Sequence, residues 1–139
     1  MENLSHMLGA VAEIGASPRI LTVFWACLLG IVVGMIPGLT ATLGVALMTT
    51  LTLSMEPDQA ILILICMYVG AIYGGSRSAI LLNIPGTPAN AATSLEGFPL
   101  ARSGHAGRAM AVATTGSFLG TAVGMLALAV LAPWLAEFA

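Results

Sequence analysis

Hydrophobic positions in this chain fall in long runs, and the informative feature is where those runs are interrupted. Residues 20–36 are apolar apart from Thr22. A helix over them would be about 25 Å long, the short end for a bilayer span. Residues 39–54 continue the run but are speckled with Thr40, Thr42, Thr49, Thr50 and Thr52. Pro37-Gly38 stands between the two runs. Proline lacks a backbone N–H and its ring clashes with the preceding turn, while glycine gives the chain freedom to restart. One straight helix over 20–54 would measure roughly 50 Å, well beyond the ~30 Å hydrocarbon core. The pattern therefore predicts a broken element, either two short crossings or one crossing with a re-entrant arm.

Glu56-Pro57-Asp58-Gln59 reads as a turn and helix start, with acids near the positive end of the following dipole. Residues 59–73 then form the most apolar helical stretch of the chain. Tyr73-Gly74-Gly75-Ser76-Arg77-Ser78 is expected to interrupt it, and a second apolar piece, residues 79–82, runs into Asn83-Ile84-Pro85-Gly86-Thr87-Pro88. Residues 83–108 read as a polar connection and 109–131 as a full-length span, closed by Pro133, Trp134 and Glu137. At the other end, Leu4, Met7 or Leu8, Val11 and Ile14 recur at helical spacing. They predict an amphipathic helix over residues 1–16 lying at the membrane surface, with Ser17-Pro18 capping the next element. The expected organisation is that interfacial helix followed by a polytopic membrane domain over 17–139.

Composition fixes the solvent. Hydrophobic residues make up 58% of the chain and charged residues 7%, against about 25% charged in a soluble domain. The fold class is therefore all-α integral membrane, with about three to five hydrophobic helical segments, two of them interrupted. A secretory signal does not explain the first run, which has no basic start and no small-residue cleavage site before more apolar sequence. Lysine is absent, and a net charge of −2 carried without any basic stripe excludes nucleic acid as a partner. Arg102 and Arg108 favour a cytoplasmic 83–108 connection. Cys27 and Cys66 lie in apolar runs and read as packing residues. Gly30/Gly34/Gly38, Gly70/Gly74 and Gly116/Gly120/Gly124 repeat at i, i+4, spacing that lets helix backbones approach closely in lipid.

Candidate chemistry gathers at the two breaks. After Pro37 and Gly38, the restart of a helix offers unpaired N–H groups to a carboxylate, Thr40 and Thr42 add hydroxyls, and carbonyls freed before the break suit a cation. Around the second break stand Ser76, Arg77, Ser78, Asn83, Gly86 and Thr87. Arginine at membrane depth normally faces a cavity or partner, and its fork matches a carboxylate; the alternative is that Arg77 snorkels outward to the headgroups. Glu96 and His105 read as solvated connection residues. No catalytic constellation is present, so an enzyme is not expected. No metal is expected either, since neither His6 nor His105 has a ligand partner at helical spacing. A Walker-type phosphate loop needs a lysine that the chain does not have. Two interrupted segments in one membrane unit are the pattern of secondary transporters, whose sites form where broken helices meet. A packing module whose glycine faces only dock against partner helices is the competing class.

Three ordered motifs carry a family resemblance: Gly34-Met35-Ile36-Pro37-Gly38-Leu39, then Tyr73-Gly74-Gly75-Ser76 with Asn83-Ile84-Pro85-Gly86-Thr87-Pro88, then Glu96-Gly97-Phe98-Pro99-Leu100-Ala101 with Gly107-Arg108-Ala109. Over residues 20–132 the chain resembles the N-terminal portion of the large membrane subunit of tripartite tricarboxylate transporters, the TctA family. Asp and Tyr are more usual in that family where Glu96 and Phe98 stand. The resemblance implies a multi-pass permease subunit of the bacterial inner membrane. Such a subunit works with a small membrane subunit and a periplasmic solute-binding protein that delivers a carboxylate such as citrate. Uptake would be driven by Na+ or H+, with no cofactor.

Overall fold

The computed structural model describes residues 19–138 together with Gly9, the side chains of 133–138 excepted. The amphipathic helix expected over 1–16 and the Ser17-Pro18 cap thus lie outside the described residues, apart from Gly9, which is helical. The chain forms two compact units, one of residues 21–113 and one of residues 1–20 and 114–139. Among the described residues there is no strand. The helices are α1 (Arg19–Met35), α2 (Ala41–Thr52), α3 (Pro57–Leu82), α4 (Ala91–Leu100) and α5 (Ala106–Phe138), with a 3-10 turn at Pro88–Asn90 and a π turn at Ala101–His105. The all-α membrane class expected from composition is the observed one.

The break at Pro37 is real and it reverses the chain. Past α1 the Ile36 N–H donates to the Val33 carbonyl (3.2 Å) and the Leu39 N–H to that of Ile36 (3.2 Å). Gly38 takes φ +90°, open to glycine at little cost. Thr40, extended at φ −81° and ψ 157°, then starts α2, its Oγ1 accepting the Leu43 N–H at 3.2 Å. In a straight helix Val33 and Gly44 would lie about 16 Å apart. Instead a methyl group on Gly44 would stand 3.0 Å from Cγ1 of Val33, so α2 folds back along α1. With 12 residues, α2 reaches only about 18 Å, the length of a re-entrant arm rather than of a crossing. Its Thr49, Thr50 and Thr52 hydroxyls donate to the carbonyls of Val45, Leu47 and Thr49 at 2.8, 2.7 and 3.1 Å. The helix thereby satisfies its own polar speckling.

The structure corrects the second expected interruption. α3 starts as the sequence indicates, with Pro57 in its first turn and Asp58 beside it, but it continues unbroken for 26 residues through Gly74 and Gly75 to Leu82. Those glycines are there for close approach, not for a break. A side chain on Gly70 or Gly74 would run into the carbonyls of Cys27 and Ile31 in α1; one on Gly30 or Gly34 would run into those of Met67 and Ala71 in α3. The paired positions rise together along both helices, so α1 and α3 run parallel, backbone against backbone. Two of the three sequence ladders are thus one interface, with Gly38 outside it. The third, Gly116/Gly120/Gly124, has nothing within 4 Å among the described residues.

Residues 83–108, expected as a polar connection, are helical from Pro88 onward. α4 packs on α3, a methyl on Gly97 standing 2.8 Å from Cγ1 of the fully buried Ile80. Gly104, at φ +89°, lets the π turn kink the path into α5. The span expected to close at Pro133 continues as helix to Phe138. Pro57–Leu82 and the helical stretch Pro88–Ala132 are long and apolar enough to cross a membrane. Large apolar side chains such as Phe24, Trp25, Leu47, Phe118 and Val123 lie exposed. Cys27 and Cys66 are free and half-buried.

Candidate functional site

The site is built where α3 ends. Asn83 adopts the left-handed conformation (φ 59°, ψ 28°), its N–H donating to the Ala79 carbonyl at 3.1 Å, and Ile84 N–H reaches that of Ser78 at 3.5 Å. An asparagine tolerates this conformation better than most residues and ends the helix. The loop that follows doubles back over the glycine faces. Gly86 is buried so tightly that a methyl group on it would stand 2.7 Å from the Gly34 carbonyl oxygen and 2.7 Å from Cα of Gly75. The loop of the second Pro-Gly break therefore rests on the last turn of α1, a few residues before the first break.

Asn90 holds the loop in place. It is 4% exposed, and its Nδ2 donates to the Ile72 carbonyl at 3.1 Å while its N–H donates to that of Thr87 at 2.9 Å. Gly75 makes room for it: any side chain there would strike the amide. Asn90→Asp would aim a carboxylate oxygen at a carbonyl and forfeit the donor. It is expected to cost about 1–3 kcal/mol, more than Asn90→Ala, read as a lower melting temperature of the protein in detergent. Equal melting of wild type and Asn90→Asp would remove Asn90 from this role. Sequence reasoning missed this residue, because nothing local marks an asparagine whose partner lies 18 positions upstream.

Arg77 does not snorkel. It is 6% exposed, its Nη1 donates to the Met110 carbonyl at 3.0 Å, and the guanidinium lies over the Tyr73 ring, 4.1 Å from its centroid. The π face and the carbonyl compensate part of the cost of burying the charge. Ser76 and Ser78 flank it, also buried, their hydroxyls donating to the carbonyls of Tyr73 (2.6 Å) and Gly75 (3.0 Å). Thr87 contributes a buried Oγ1 with no hydrogen-bond partner among the described residues. The side of the first break is open: Pro37, Gly38, Thr40 and Thr42 are all exposed, as is Asn83. His105 is exposed with Nδ1 3.1 Å from the Ser103 hydroxyl, and Glu96 is exposed on α4.

The geometry is thus a buried cation and buried hydroxyls on the last turns of α3, with the loop that follows laid on the end of α1. Such an arrangement can hold a small anionic group. The profile of the tripartite tricarboxylate transporter TctA family matches residues 20–139. An uncharacterised 52.8 kDa protein in the TAR-I ttuC' 3' region of Agrobacterium vitis is 42% identical over 140 residues, which cover all of this chain and 28% of that relative. No solved structure matches. A membrane protein whose two Pro-Gly motifs both fall under one family profile, the chain belongs to the tripartite tricarboxylate transporter TctA family.

Proposed function

We infer that this chain forms part of a multi-pass permease subunit in the bacterial inner membrane, taking up a carboxylate by symport with a cation. The observation that carries the reading is the contact of Gly86 with the Gly34 carbonyl. Broken backbone within a bilayer is tolerated where it lines a cavity, and transporter sites form where such breaks meet. One lip of the site is Pro37, Gly38, Thr40 and Thr42; the other is Ser76, Arg77, Ser78, Asn83, Gly86 and Thr87. Arg77 supplies positive charge in a medium of low dielectric, where its pull on a carboxylate is strong.

A tripartite system supplies the remaining roles: a small membrane subunit and a periplasmic binding protein that hands over the solute. The exposed apolar side chains of α1 and α5 suit lipid and the membrane partner. The test is uptake of labelled citrate by cells expressing the intact protein, with and without the two partner subunits, across an imposed Na+ or proton gradient. Saturable uptake that needs all three components supports the reading. Assembly of the three without saturable uptake of any carboxylate leaves a packing module instead.

A further inference from the structure

We propose that Cys27 and Cys66 are a modification site, a thiol pair that a small uncharged two-electron oxidant of the peroxide class converts into a disulfide tying α1 to α3. The pair lies outside the residues ascribed to transport, and its chemistry does not depend on them.

The first observation is the pairing itself. Cys27 stands midway along α1 and Cys66 in the first half of α3, yet their side chains are in hydrogen-bond contact. Both cysteines are free and half-buried, so each keeps part of its surface open to a small reagent. Read along the chain they are two unrelated packing residues; only the fold makes them a pair.

The second observation is the closeness of the two backbones at this level. A disulfide needs its Cα atoms within about 4.4–6.8 Å of each other and its Cβ atoms closer still. α1 and α3 are in direct backbone contact around both cysteines. A side chain on Gly70 would run into the Cys27 carbonyl, and one on Gly30 into the carbonyl of Met67, the neighbour of Cys66. Glycines that let helices approach in this way also bring flanking side chains within bonding reach.

The third is the medium. Phe24, Leu28, Ile65 and Val69, which flank the cysteines in sequence, are apolar and exposed, surroundings that favour uncharged reagents over charged ones. Hydrogen peroxide meets that condition. One thiol takes an oxygen as the O–O bond breaks, giving a sulfenic acid and a water. The second sulfur then attacks the first: the S–S bond forms, the S–O bond breaks and a second water leaves. Two thiols thereby lose two electrons and two protons, and one peroxide gains them. Thiols, sulfenic acid, disulfide and water are all uncharged, so no ion is left in apolar surroundings. The bridge encloses α2 and the Pro37 break in a covalent loop and narrows the freedom of the unfolded chain.

The experiment treats the intact protein in detergent with hydrogen peroxide, blocks remaining thiols with N-ethylmaleimide and maps the linkage by chymotryptic digestion and mass spectrometry. Leu43 and Leu47 lie between the cysteines, so cleavage there places them on separate fragments. The expected result is a Cys27–Cys66 linked pair, loss of both thiols together, and a melting temperature raised above that of the reduced protein. Dithiothreitol should reverse all three. Cys27→Ala and Cys66→Ala should each abolish the linkage and the melting shift. Oxidation of either sulfur singly to sulfinic acid, bridges between molecules instead of within one, or two thiols that peroxide leaves intact would overturn the proposal. So would a melting shift that survives in either alanine variant. Mapping the wild type alone decides the linkage, so a variant that fails to fold does not rescue the idea.

Discussion

Gly74→Leu is expected to abolish the close contact of α1 with α3 and to lower stability by about 3 kcal/mol or more. Overpacking a well-filled core usually costs about 1–3 kcal/mol because side chains move aside. Here the obstacle is the Ile31 carbonyl, and a backbone within a helix cannot change rotamer. The helices must separate, and separation also loosens the contacts at Gly30, Gly34 and Gly70. Gly120→Leu is the matched control, since no described residue would lie within 4 Å of a side chain there; it is expected to change stability by no more than ~0.5 kcal/mol. Thermal unfolding in detergent checks both. If the two variants melted alike, the parallel glycine interface would not be what holds these helices together.

Arg77→Gln is expected to reduce carboxylate uptake at least about thirtyfold while leaving the melting temperature close to that of the wild type. The uptake loss follows from removing a desolvated charge, worth about 2–5 kcal/mol when its counterpart is a buried anion. The near-constant stability follows from compensation. The variant loses the contacts with Met110 and Tyr73, but it also loses the cost of burying a cation. Glutamine retains an N–H donor for the Met110 carbonyl. Arg77→Lys keeps the charge but not the fork, and should recover part of the uptake. Uptake measured beside a melt decides the matter. Wild-type uptake in Arg77→Gln would make Arg77 a structural residue only.

Several of these features were legible in the sequence for a physical reason, and others were hidden for one. The break at Pro37 announces itself because the missing N–H is a local fact that no tertiary contact repairs. The start of α3 at Pro57 is local in the same way. Gly74-Gly75 misleads because glycine carries two meanings. Its backbone freedom suggests a break, yet within a packed helix its use is the absence of a Cβ, and only the partner helix decides between them. The same ambiguity explains why Gly30/Gly34 and Gly70/Gly74 could be seen as ladders but not as facing ones. The burial of Arg77 depended on Met110, and the latch at Asn90 on Ile72, across sequence gaps that no periodicity spans. The polar residues of 83–108 pointed to a connection; that the connection is itself helical depends on α4 seating Gly97 over Ile80.

Gly74 and Gly75 are neighbours that touch different things: the first meets Ile31 of α1, the second meets Gly86 in the loop. The contact with Ile31 is backbone against backbone, and at Gly86 only the Asn90 amide lies closer to Gly75. α3 thus bears on α1 and on the loop at adjacent positions. With Gly34 of α1 and Gly75 of α3 both against Gly86, the loop is wedged between the two helices and takes its seat from both.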